Sequence, residues 1–228
     1  PKEVGLALTE SKVVRKLSFT GSTEVGKQLM RQCAGTVKKL SLELGGNAPF
    51  IVFDDADIAG AVAGAVASKY RNAGQTCVCA NRLFVQAGVH DQFVKDLKKA
   101  VEKLKVGDGR EDGVAVGPLI NQAGLDKVEA LVADAKAKGV EVVTGGKRSA
   151  AGELFYEPTI LAGADQRMGI ASTEIFGPVA PIFKFETEEE VIRLANDTPF
   201  GLAAYFYGRD YALIWRVAEA LEYGMVGI

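Results

Sequence analysis

Cys77 sits in the run Gly74-Gln75-Thr76-Cys77-Val78-Cys79, just after an alanine-rich stretch of helical character. A thiol on such a turn is exposed enough to ionise and attack a carbonyl carbon. The competing reading is a buried, inert cysteine, the commoner state of a free thiol. A cysteine nucleophile needs a base. His90 is the only histidine, and it opens an amphipathic segment with no obvious partner. The base would then be a carboxylate. Glu43, in Leu42-Glu43-Leu44-Gly45-Gly46, is the candidate. A carboxylate among apolar neighbours is costly to ionise, which suits it to take up a proton. Its alternative is a strand-end glutamate facing water.

Two further segments could hold a polar ligand. In Phe19-Thr20-Gly21-Ser22-Thr23-Glu24-Val25-Gly26 a strand runs in and a helix leaves. Gly21 lets the backbone approach a ligand, Ser22 can cap the helix, and the N–H groups of the first turn then face a phosphate. The segment is not a G-x-G-x-x-G fingerprint and lacks the lysine of a P-loop, so a plain helix cap competes. In Glu174-Ile175-Phe176-Gly177-Pro178 the glutamate can accept both hydroxyls of a ribose, and Phe176 can pack on a flat ring. An ordinary loop closed by Gly-Pro is the alternative there.

These residues are embedded in 228 positions, enough for one large domain or one domain and part of another. Lys and Arg are scattered at a net charge of −2, so there is no basic face for nucleic acid. No long apolar run offers a membrane span, and no signal peptide is visible. The three cysteines, Cys33, Cys77 and Cys79, are an odd number that argues against a disulfide scaffold, so the cytoplasm is the default location. A Cys-x-Cys pair with one histidine falls short of the four ligands of a structural zinc site, so no metal is expected. The sequence opens on Pro1 without an initiator Met and closes on the apolar Met225-Val226-Gly227-Ile228. Both ends read as cuts through a longer protein.

Short apolar runs alternate with helical segments. Strands are expected at residues 13–19, 39–44, 50–53, 83–86, 141–144, 179–185, 203–207 and 225–228. Helices are expected at 24–34, 57–72, 90–105, 121–138, 188–196 and 211–221. The Gly-rich stretch 145–158 reads as a hairpin and loop. Strands separated by helices imply an α/β fold with a parallel sheet, and Gly45-Gly46-Asn47 is the natural domain boundary.

Taken together, the four segments resemble the aldehyde dehydrogenase superfamily in order and spacing, including the separation of Glu43 from Cys77. The resemblance covers the whole chain. It implies the parallel-sheet catalytic domain of that family at residues 46–228, cut before its end. Residues 1–45 would be the last part of a Rossmann-like cofactor-binding domain. Within the family the stretch 68–79 is most similar to the succinate-semialdehyde branch, in which an Arg six positions before the nucleophile contacts the substrate carboxylate. Arg71 stands there. A guanidinium forks onto a carboxylate and keeps its charge. A helix-end Arg on the dipole is the plainer reading.

The resemblance implies a mechanism. Cys77 attacks the aldehyde, hydride leaves for NADP or NAD (NADP preferred), and Glu43 activates the water that hydrolyses the thioester. Gly21, Ser22, Thr23, Val25, Leu44, Gly45, Glu174 and Phe176 would contact the cofactor. Cys79 would pair with Cys77 in a reversible inhibitory disulfide, or else merely pack beneath the loop. A small-molecule aldehyde is the expected partner, and the full-length enzyme is expected to be a homo-oligomer. The oxyanion-hole asparagine, a second substrate arginine and the oligomerisation elements fall outside this sequence, so the chain alone is expected to be inactive. The alternatives are another aldehyde dehydrogenase subgroup, against which Arg71 argues, and a non-catalytic member of the fold, against which Cys77 and Glu43 argue together.

Overall fold

The chain divides between Gly45 and Gly46, two glycines that follow a strand. The computed structural model describes residues 2–228. In the first unit, α1 (Lys2–Glu10) precedes β1 (Lys16–Thr20), α2 (Thr23–Ala34) and β2 (Lys39–Glu43). The two strands pair in parallel, Leu17 beside Leu40 and Thr20 beside Glu43. Leu17, Leu29 and Cys33 form a small core between them and α2. The sequence gives no sign of α1, because its Val4, Leu6 and Leu8 are exposed and form no inward stripe. The apolar surround expected for Glu43 is not found. Side chains of a strand alternate between faces, and Glu43 shares the exposed face of Lys39 and Ser41 while Leu40 and Leu42 point the other way.

The second unit contains β3 (Ala48–Val52), α3 (Ile58–Lys69), β4 (Ala80–Gln86), α4 (His90–Val101), β5 (Lys105–Val106), β6 (Val114–Val116) and α5 (Gln122–Ala137). There follow β7 (Glu141–Thr144), β8 (Thr159–Ala162), α6 (Gly169–Ser172), β9 (Val179–Phe185), α7 (Glu188–Asn196), β10 (Ala203–Tyr207), α8 (Tyr211–Ala220) and β11 (Met225–Gly227). Among the described residues the main sheet has seven strands in the order β11-β10-β3-β4-β9-β8-β7. All neighbours are parallel except β7, which runs against β8, so the expected parallel sheet carries one antiparallel edge strand. Successive residues of β3, β4 and β9 are buried on both faces, as in a sheet covered by helices on each side. No described helix is long and apolar enough to cross a membrane.

Helix starts follow their caps: Asp57 accepts from Gly60 N, Asn121 from Gly124 N, Thr187 from Glu190 N and Asp210 from Leu213 N. Helix ends depart from expectation. The segment 57–72 stops being α-helical at Lys69, because Asn72, Ala73 and Gly74 all adopt left-handed backbone with φ of 53°, 55° and 74°. The segment 90–105 stops at Val101. The hairpin expected within 145–158 forms, with an antiparallel bridge between Arg148 and Tyr156.

Strand order decides where the candidate residues meet. β3, β4 and β9 are adjacent and parallel, so the residues just before each of them share one edge of the sheet. Gly46 precedes β3, Cys77 precedes β4, and Glu174–Pro178 precede β9. Holding that edge together is Arg82 of β4, which has no exposed surface. Its guanidinium donates to Asn47 O (3.0 Å), Leu194 O (2.8 Å), Ala195 O (2.7 Å) and the Tyr223 hydroxyl (3.0 Å). Burial pulls its pKa below the ordinary arginine value, while Tyr223 and Asp197 oppose that shift. Arg82→Met would leave the buried carbonyls of Asn47 and Leu194 without the guanidinium, each worth about 1–3 kcal/mol when left without a donor, while Ala195 O keeps the Tyr223 hydroxyl at 2.5 Å. The variant is expected to lose at least ~2 kcal/mol, read as a lower urea midpoint at unchanged slope. A loss within about 0.5 kcal/mol would mean that the hub does not hold the sheet edge.

Candidate active site

In the first unit the turn after β1 and the end of β2 come together, because parallel neighbours place their carboxyl ends side by side. Gly21 N–H donates to Glu43 O at 3.0 Å. Ser22 Oγ accepts from Val25 N (3.4 Å) and so caps α2, as expected from its type. Thr23 and Glu24 then present the remaining amides of the first turn. Gly26 lies against Leu44, and a side chain at Gly26 would run into the Leu44 methyls. The helix therefore packs close to the strand end that carries Glu43.

In the second unit the chain leaves α3 through the left-handed residues at 72–74 and rises to Cys77. A left-handed non-glycine residue costs on the order of 1–3 kcal/mol, and such strain persists only where surrounding contacts enforce it. They do so here. Gly74 fits where a side chain would strike Gly177 O. Gln75 Nε2 donates to Asn72 O (3.0 Å) and Pro118 O (3.2 Å), and its Oε1 accepts from Ile120 N (2.9 Å). Beyond the thiol, Tyr205 Oη donates to Val78 O (2.7 Å) and Ala80 N donates to Ser68 Oγ (2.9 Å).

The three thiols are free and differ in access: Cys77 is half-buried, whereas Cys33 and Cys79 are buried. Cys79 packs beneath the loop, with Lys69 Nζ donating to its sulfur at 3.5 Å and its own thiol facing Ala80 O at 3.3 Å. His90 is engaged within its own turn, Nδ1 to Asp91 Oδ1 at 2.8 Å. Among the described residues no cluster of three or more His, Cys, Asp or Glu could hold a metal ion.

Glu174 reaches the same edge from the neighbouring strand. Its Oε1 accepts from Gly46 N at 2.9 Å, and Gly46 in turn lies against the Cys77 carbonyl, where a side chain would collide with it. The structure thus gathers Gly46, Cys77 and Glu174. Burial raises the Glu174 pKa, opposed by the Gly46 amide and the Lys127 and Lys69 charges. Phe176 is left-handed at φ 55°. Lys127 Nζ lies 5.8 Å from the centre of its ring and donates to Glu174 O at 3.2 Å.

Arg71 is exposed and lines a cleft of about 390 Å³ with Ser68, Thr76, Tyr205 and Tyr207. Burial raises the Tyr205 pKa and the two thiols add to that shift, with the Arg71 charge opposing it. Sequence reasoning missed Asn81 and Lys127. Lys127 stands on an amphipathic helix. Only the asparagine carries a sequence signal, as a poor strand former inside an apolar strand.

Residues 1–228 match the aldehyde dehydrogenase family. The glutarate-semialdehyde dehydrogenase of Pseudomonas aeruginosa is 62% identical over 99% of this chain and 47% of its own length. The NADP+-dependent succinate-semialdehyde dehydrogenase of Escherichia coli is 60% identical over the same shares, 99% and 47%. The crystal structure of succinate-semialdehyde dehydrogenase from Burkholderia pseudomallei superposes with a TM-score of 0.99 at 64% identity, covering all of this chain and 47% of that one. The chain thus spans about half the length of the relatives it matches. By this match along its whole length, the chain belongs to the aldehyde dehydrogenase family.

Proposed function

We propose that this chain carries the catalytic part of an enzyme that oxidises succinic semialdehyde to succinate with NADP or NAD. The observation that carries the reading is the thiol of Cys77, half-buried on a strained and tethered turn beside the Glu174 loop. On this reading residues 46–228 are most of a catalytic domain and residues 1–45 the end of a cofactor-binding one. Two relatives named for carboxylate-bearing aldehydes support the substrate class, and the Escherichia coli relative's name supports NADP.

The residues fit a dinucleotide on structural grounds. Gly21, Ser22, Thr23 and Val25 present a capped helix start to a phosphate, with Leu44 and Gly45 closing the neighbouring strand end. Glu174 offers a half-buried carboxylate to a ribose, with Phe176 and Lys127 alongside. When bound, the nicotinamide accepts a hydride. Cys77 forms the thiohemiacetal and, after hydride loss, holds the acyl group as a thioester. Its backbone N–H supports the oxyanion together with an asparagine outside this sequence. Glu43 takes the proton of the hydrolytic water. Arg71 binds the distal carboxylate from the rim of the cleft. The homologue one carbon longer is the second substrate reading, favoured by the Pseudomonas aeruginosa relative.

Two measurements test this. Substoichiometric alkylation with peptide mapping is expected to label Cys77 first, because Cys33 and Cys79 are buried. Faster labelling of Cys33 would remove the nucleophile assignment. In the full-length enzyme Arg71→Ala is expected to lower kcat/KM for succinic semialdehyde by roughly tenfold to several-hundredfold. An uncharged aldehyde of similar length should be far less affected, and Arg71→Lys should rescue only in part. Equal loss on both aldehydes would make Arg71 structural and leave the aldehyde unspecified.

A further inference from the structure

Asn81 is the second residue of β4, four positions after Cys77, and is 3% exposed. Its side chain makes three hydrogen bonds, and two of them bracket Glu174. Oδ1 accepts from Ile175 N at 3.1 Å, and Nδ2 donates to Thr173 O at 2.9 Å. The third runs from Nδ2 to Asn47 Oδ1 at 2.6 Å. The amide orientation follows from the partners, since Ile175 N–H can only donate and Thr173 O can only accept. Asn47 extends the network, its Nδ2 donating to Ala171 O at 3.1 Å. Both peptide groups flanking Glu174 are therefore fixed by one side chain of the strand that the Cys77 loop feeds. The carboxylate itself is held by Gly46, which abuts the Cys77 carbonyl.

We infer that Asn81 is a positioning residue that sets the reach of the Glu174 carboxylate relative to Cys77, and so the register between cofactor ribose and nucleophile. The inference rests on the reading of Glu174 as the ribose-binding carboxylate. Its physical basis is that a glutamate in a loop otherwise has freedom along its backbone. A carboxylate misplaced by about an ångström loses much of what orientation contributes to rate. Neither a dispersed role in sheet stability nor an ordinary strand position requires donor and acceptor to be spent on the two residues either side of one glutamate.

The test uses the full-length enzyme with Asn81→Leu, similar in size but without hydrogen bonds, and Asn81→Ser, which keeps one hydroxyl. Glu174→Gln and the corresponding double variants complete the set. NADP+ affinity is measured by fluorescence titration, hydride transfer by the first-turnover burst, and Cys77 reactivity by its alkylation rate without cofactor. Asn81→Leu is expected to raise the NADP+ Kd by roughly threefold to tenfold and to slow the burst, with Asn81→Ser between it and the parent. Cys77 alkylation should stay within about twofold, a change worth only ~0.4 kcal/mol. On the Glu174→Gln background the Asn81 substitutions should have little further effect, because the two act through one group. Unchanged Kd and burst in folded Asn81 variants would overturn the inference. So would fully additive effects, a matching loss of Cys77 reactivity, or failure of both variants to fold. If Glu174→Gln alone leaves Kd and burst unchanged, the reading of Glu174 fails instead, and the inference that rests on it falls with it.

Discussion

A buried arginine without a carboxylate in hydrogen-bond contact is the constraint on which the site edge depends. Arg82 has no exposed surface, and its donors go to carbonyl oxygens and one tyrosine hydroxyl. Taking a guanidinium out of water costs several kcal/mol unless its donors are satisfied. The backbone around it must therefore deliver carbonyls to fixed points. Two come from the end of α7 and one from Asn47, just before β3. Asn47 and Asn81 then carry the same logic outward to residues 171–175. A polar network of this kind is stabilising only when every member is paired. It fixes β3, β4 and the segment leading into β9 as one unit, and Gly46, Cys77 and Glu174 stand on that unit.

The two units present their chemistry in opposite ways. In the first, the candidate residues follow β1 and β2, at the carboxyl ends of parallel strands, with a helix start close by. In the second, they precede β3, β4 and β9, at the amino ends. Loops at an amino end follow helix C-termini, which offer no free N–H groups to an anion, so placement rests on side-chain tethers and on glycines. Gln75, Tyr205 and Ser68 supply the tethers around Cys77. Gly46 and Gly74 supply close approach. The strained backbone at Asn72 and Ala73 is held by the same contacts.

Residue types pointed to the candidate site more readily than to its surroundings. Cys77, Glu174 and the Ser22 cap could be found because turn residues and helix caps are local signals. The parallel sheet could be read from short apolar runs alternating with helical segments. The setting of Glu43 could not, because apolar sequence neighbours on a strand face away from it. The end of α3 was hidden as well: of the three left-handed residues only Gly74 announces that conformation. The roles of Arg82, Asn81 and Lys127 were hidden for another reason. Their partners lie between 34 and 141 positions away in sequence, and no local pattern encodes a contact at that range.

The central claim is that Cys77 carries the acyl group during aldehyde oxidation. The most direct measurement is peptide mass mapping of the full-length Glu43→Gln variant after mixing with succinic semialdehyde and NADP+. With water activation removed, a succinyl thioester is predicted to accumulate on the peptide containing Cys77 and to require both reactants. Absence of that adduct while a Cys77→Ser variant still turns over, or an adduct on another residue, would contradict the account.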